Sequence, residues 1–85
     1  MSLLERAKTF LRSRRWAYIN TFNNPVGEKV LKDLSQFCRA HEITFHENER
    51  VDALLQGRRE VWLRIQQHLK LSDEELWRLY GDQKE

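Results

Sequence analysis

Pro25 is the only proline in the chain, and it stands directly behind Asn23 and Asn24. Proline is excluded from helix interiors but suits the first helical position, where no N–H is needed, and an asparagine before it can cap the new helix. Asn23-Asn24-Pro25 therefore ends one helix and starts another at a defined place. Upstream, Ser2-Leu3-Leu4-Glu5 has the pattern of a capping box, so the first helix begins at Leu3. At about 100° per residue, Leu3, Leu4, Ala7, Phe10, Leu11 and Tyr18 share one face of a helix that extends to about Ile19, with Lys8, Arg12 and Arg15 together on its flank. The second helix is expected from Pro25 to about Arg39. Its core face is Val26, Val30, Leu34, Phe37 and Cys38, with Leu31 beside them, and Gly27 in its first turn implies a close neighbour.

Residues 40–48 show no helical repeat, and Ile43-Thr44-Phe45 favours extended backbone, giving a connecting loop with Phe45 tucked into the core. A third helix follows from about Glu49 to His68. Val51, Leu54, Leu55, Val61, Trp62, Ile65 and Leu69 form its broad apolar face, while His68 falls where solvent is expected. Ser72-Asp73-Glu74-Glu75 is a second capping box, flanked by Leu71 and Leu76 as a hydrophobic staple. The short helix it starts should end near Tyr80, with Gly81 in the left-handed cap conformation and residues 82–85 as a frayed tail. The predicted fold is all-α: one domain over residues 1–85, a small bundle of three main helices plus a short C-terminal helix, antiparallel where connections are short.

At 85 residues the chain has room for a single core, and partners can supply what such a core lacks. Charge interrupts every apolar stretch well short of the roughly 20 residues a membrane crossing needs, and the start lacks the pattern of a secretory leader. The expected location is the cytoplasm. Cys38 is the only cysteine, which excludes an intrachain disulfide and suits a small buried apolar role. The net charge of +2 hides an uneven distribution: Arg6, Lys8, Arg12, Arg14 and Arg15 precede Phe22 against one acid, Glu5, and the remainder is close to balance. Contact with a polyanion would have to use the first helix.

Arg58 projects from the middle of the third helix's apolar face, where an unpaired guanidinium is costly, so Asp33, Glu28 or a carbonyl of the second helix should meet it. Arg14 on the first helix poses the same requirement. The alternative is that Arg58 and Arg59 offer a fork to a partner's carboxylate or to phosphate. Gly57 costs about 1 kcal/mol against alanine in a helix interior, which close approach of another helix, or of a partner subunit, would explain. Trp62 belongs to the core, whereas Trp16 lies opposite the apolar face beside Arg12 and Arg15 and is expected to be exposed, a composition common at interfaces. Cys38, His41 and His46, with Glu42 and Glu47 nearby, fit no common zinc spacing, so no metal is expected. The chain has no glycine-rich phosphate loop, and Ser2, Ser13 and Ser35 stand in no nucleophile motif; no enzymatic activity, cofactor or small-molecule substrate is expected.

Several elements occur in a recognisable order: Tyr18 to Phe22, Phe22-Asn23-Asn24-Pro25-Val26-Gly27, Val30-Leu31-Lys32-Asp33-Leu34, Phe37-Cys38, Thr44-Phe45, Gly57-Arg58-Arg59-Glu60-Val61 and Ile65. In these the chain resembles a family of short proteins of tailed bacteriophages and prophages, encoded among virion structural genes. The resemblance implies no catalytic residues. Together with the small size and the aromatic count, it leads to the expectation of a structural or assembly protein of the virion, located there or in the host cytoplasm and binding other virion proteins or copies of itself. Nucleic-acid binding through the basic first helix, or binding of a host protein through Trp16, is the alternative. The candidate partner-binding residues are Lys8, Arg12, Arg15, Trp16, Gly57, Arg58 and Arg59.

Overall fold

The computed structural model describes residues 2–42 and 45–81 as four helices: α1 (Leu3–Phe22), α2 (Pro25–Phe37), α3 (Glu49–Lys70) and α4 (Asp73–Tyr80). The chain is all-α, and each helix starts on the side chain that its sequence offers. Ser2 Oγ accepts the Glu5 N–H at 3.1 Å, and Asn48 Oδ1 accepts those of Arg50 and Val51 at 3.0 and 3.2 Å. At α4 both halves of the capping box form: Ser72 Oγ accepts from Glu75 N–H and Glu75 Oε1 from Ser72 N–H.

The α1–α2 corner depends on the bifunctional amide of Asn24. Its Oδ1 accepts the Gly27 N–H at 2.8 Å, capping α2, while its Nδ2 donates to the Asn20 and Thr21 carbonyls at 3.0 and 3.2 Å, closing α1. With those carbonyls satisfied and no breaker before Asn23, α1 continues to Phe22, past the expected end at Ile19. Gly27 is buried against this turn, as its place in the first turn of α2 implied.

At its other end α2 stops at Phe37, short of Arg39. Arg39 takes φ 51°, the left-handed conformation, and its N–H reaches Gln36 O at 3.2 Å while Ala40 N–H reaches Ser35 O at 2.9 Å. These two bonds are a Schellman closure with arginine where glycine is usual. Arg39→Gly should therefore stabilise the domain by about 1 kcal/mol. An unchanged thermal midpoint would show that the backbone here carries no such cost.

Gly81 behaves in the opposite way: φ −63° and ψ −30° are helical, not left-handed as expected. Glycine suits this position for a steric reason, since a Cβ there would lie 2.8 Å from Trp77 Cδ2. The tail expected at 82–85 and Ile43-Thr44, for which extended backbone is expected, lie outside the described residues.

α1 packs against each of the other three helices, whereas α2 and α3 meet only sparingly. The result is a slab of 49 × 32 × 17 Å with a radius of gyration of 15.2 Å, against about 12 Å for a compact chain of this length. So thin a layer has little interior. Among the described residues the buried apolar side chains are Leu11, Cys38, Leu55, Ile65 and Leu76.

Much of the expected core is consequently uncovered. Val26, Val30 and Phe37 of α2, Val51, Leu54 and Val61 of α3, and Leu3, Leu4 and Phe10 of α1 are all exposed. Phe45, expected inside, is 74% exposed, and Trp62 is only half-buried. Helical spacing correctly groups these residues on faces. Whether another element lies over a face is a separate matter, and here α2 and α3 splay apart. No described helix is long and apolar enough to cross a membrane.

Candidate interaction surface

His68, expected in solvent, is fully buried, and it joins three helices. Arg14 of α1 donates its Nε–H to His68 Nε2 at 3.0 Å, and His68 Nδ1 lies 2.8 Å from the Arg64 carbonyl. A guanidinium can only donate, so Nε2 must be the bare nitrogen, and Nδ1 carries the proton it gives to Arg64. The ring is sandwiched by Tyr18, with centroids 4.3 Å apart, and Tyr80, at 5.4 Å. Arg14 and Arg64 each lie 5.1 Å from the Tyr80 ring centre, and the Tyr80 hydroxyl donates to Gln67 Oε1. Burial drives the His68 pKa below that of a free imidazole. The bond to the Arg64 carbonyl opposes this, and the charges of Arg14 and Arg64 add to it. Arg14 thus finds its partner in a neutral histidine and aromatic faces. Arg14 Nη2 is buried without a hydrogen-bond partner, but the rings and the Arg14 Nε–H are engaged with one another, so the cluster reads as the joint of α1, α3 and α4.

The basic flank of α1 contacts α4 while Lys8 and Arg12 stay exposed. Arg12 Nε and Arg15 Nη1 contact the two oxygens of Asp73 at 3.2 and 3.3 Å, and Lys8 Nζ lies 5.8 Å from the centre of the Trp77 ring. Trp16 beside them is 53% exposed.

The three remaining candidates sit together on α3. Arg58 does not pair with Asp33 or Glu28: its guanidinium lies 4.3 Å from the centre of the Phe37 ring. Arg59 Nη1 donates to the Ala40 and Glu42 carbonyls at 3.3 and 3.4 Å, fastening the loop after α2. Gly57 has no crowding neighbour, for a Cβ there would meet nothing within 4 Å, so close packing inside the chain is not its reason. Gly57→Ala should accordingly stabilise the isolated domain by about 1 kcal/mol, read as a higher thermal midpoint. A drop would mean that the position is constrained within the fold after all.

Two helices carry uncovered apolar stripes: Val26, Val30 and Phe37 along α2, and Leu54 and Val61, on either side of Gly57, along α3. An open groove of about 380 Å³ between α1 and α3, lined by Tyr18, Phe22, Val61 and Ile65 among others, borders the α3 stripe. These stripes were legible as apolar faces, but nothing in the spacing marked them as uncovered. Among the described residues no three His, Cys, Asp or Glu side chains gather as metal ligands.

A thin all-α chain with uncovered apolar stripes on two of its helices is thus defined. The model of the Bbp19-like phage protein family matches residues 18–80, and the chain belongs to that family of phage proteins. Gly57, Arg58, Arg59 and both stripes fall inside the match, while Lys8, Arg12, Arg15 and Trp16 precede it. Searches of curated proteins and of solved structures gave no match.

Proposed function

We propose that this phage protein is a non-enzymatic structural or assembly component of the virion that acts through protein–protein contacts, without a cofactor. The observation carrying this reading is the uncovered apolar face of α2 and α3. Large apolar side chains left exposed together along two helices are commonly covered by another protein. The contact of Arg12 and Arg15 with Asp73 weakens the alternative of phosphate binding by α1, since the shared carboxylate offsets one of their two charges.

Quantitative mass spectrometry of purified particles, counting this chain against the major capsid protein, tests the proposal. A fixed copy number is expected for a structural component. A transient assembly factor would instead leave particles defective or few when its gene is removed. Absence from particles together with normal assembly without the gene overturns the reading.

A further inference from the structure

We infer that the uncovered α2/α3 face is closed by a second copy of this chain, with α2 of each copy lying antiparallel against α3 of the other. The inference deepens the protein-contact reading above and rests on it.

Surface area gives the first argument. A compactly folded monomer of this mass exposes roughly 5,400 Å², whereas this chain exposes 6846 Å². The excess is larger than the roughly 800 Å² that each partner hides in an interface of standard size.

Charge complementarity gives the second and chooses the partner. Each stripe carries one charge among its apolar residues: Asp33 between Val30 and Phe37 on α2, Arg58 between Leu54 and Val61 on α3. Val30 lies three positions before Asp33 and Phe37 four after it; Leu54 lies four before Arg58 and Val61 three after it. Run antiparallel, the stripes match at three successive levels, Val30 to Val61, Asp33 to Arg58 and Phe37 to Leu54. Such self-complementarity is what a two-fold interface requires, because the same patch must serve both copies.

Within the chain, Asp33 makes no hydrogen bond or ion pair among the described residues, and Arg58 rests on Phe37 with no carboxylate beside it. Pairing between copies gives each the partner it lacks. Gly57, adjacent to both Leu54 and Val61 on the helix and open on its outer side, leaves room for the second backbone to approach.

Sedimentation equilibrium of the full chain over a wide concentration range reads the association directly. The wild type should show the mass of two chains. Asp33→Arg and Arg58→Asp should each weaken pairing about a hundredfold or more, by setting like charges across the interface. The double variant Asp33→Arg/Arg58→Asp should restore it, a rescue that a folding defect cannot imitate. Gly57→Gln should weaken pairing while the melting curve at low concentration stays intact.

A single-chain mass at every concentration overturns the inference, as does a dimer that survives both single reversals. The two proposals fail separately. A dimer formed by a protein absent from particles, and dispensable for their assembly, removes the virion role and keeps the pairing. A monomer present at fixed copy number in particles does the reverse.

Discussion

Gly27→Ala is expected to lower the thermal unfolding midpoint by roughly 12–24 °C, the shift that a loss of about 3 kcal/mol produces in a domain of this size. The added Cβ would lie 2.5 Å from Phe22 Cα and 2.7 Å from Phe22 O, and closer still to Thr21 O. All three are backbone atoms, so no side chain can rotate aside. Relief requires opening the α1–α2 corner, which pulls Asn24 away from the ends of both helices that it caps. The loss is a large part of the roughly 4–13 kcal/mol available to a domain of this length. Circular dichroism melts of Gly27→Ala beside Gly57→Ala, at concentrations too low for chains to pair, make the test internal, because the same substitution in two helices should move the midpoint in opposite directions. A Gly27→Ala midpoint within about 2 °C of wild type would show that the corner opens freely.

Acidification should destabilise the protein through His68. Its folded-state pKa lies below the value of about 6.5 for a free imidazole, first because the ring is buried. Between these two values the unfolded chain binds more protons than the folded one, so stability rises with pH across that window. The contribution is fully present above about pH 6.5 and is lost as pH falls toward the folded-state pKa, at up to about 1.4 kcal/mol per pH unit. Geometry explains the loss. Protonation would place a hydrogen on Nε2 facing the Arg14 Nε–H 3.0 Å away, with Arg64 as a second cation nearby, while Tyr18 and Tyr80 stack on the ring without neutralising it.

Denaturant titrations of the wild type and His68→Phe over a series of pH values isolate this contribution. Phenylalanine can keep the stacking but leaves the Arg14 Nε–H without its acceptor, a cost of about 1–3 kcal/mol at neutral pH. The deficit should narrow as pH falls below about 6.5. Parallel curves for the two proteins would show that His68 is not the group whose protonation destabilises the fold.

The local part of the structure was open to reading because its causes lie within a few residues of one another. Ser72 and Glu75 sit one turn apart, and their reciprocal bonds need nothing else in the chain. Asn24 and Pro25 act on the residues beside them. The end of α2 escaped because Arg39 adopts a conformation that arginine disfavours, held there by bonds to Ser35 and Gln36 that no propensity scale contains.

The candidate surface divides along the same line. Trp16 was correctly placed in solvent by its position opposite an apolar face. Arg58 was expected to meet Asp33, Glu28 or a carbonyl of α2, and its place over Phe37 instead depends on how α2 crosses α3. His68 gave no sign of burial. One polar residue near the end of a helix acquires that fate only when Arg14, Tyr18 and Tyr80 arrive from two other helices.

By itself, the sequence determined the number of helices, their starts and the apolar face of each, since these follow from backbone chemistry and a period of 3.6 residues. Only the tertiary structure decided which faces are covered. Coverage depends on the angles at which helices cross, set by close packing at points such as Gly27 and by the Arg14–His68 bond. Those angles leave the stripes of α2 and α3 facing outward.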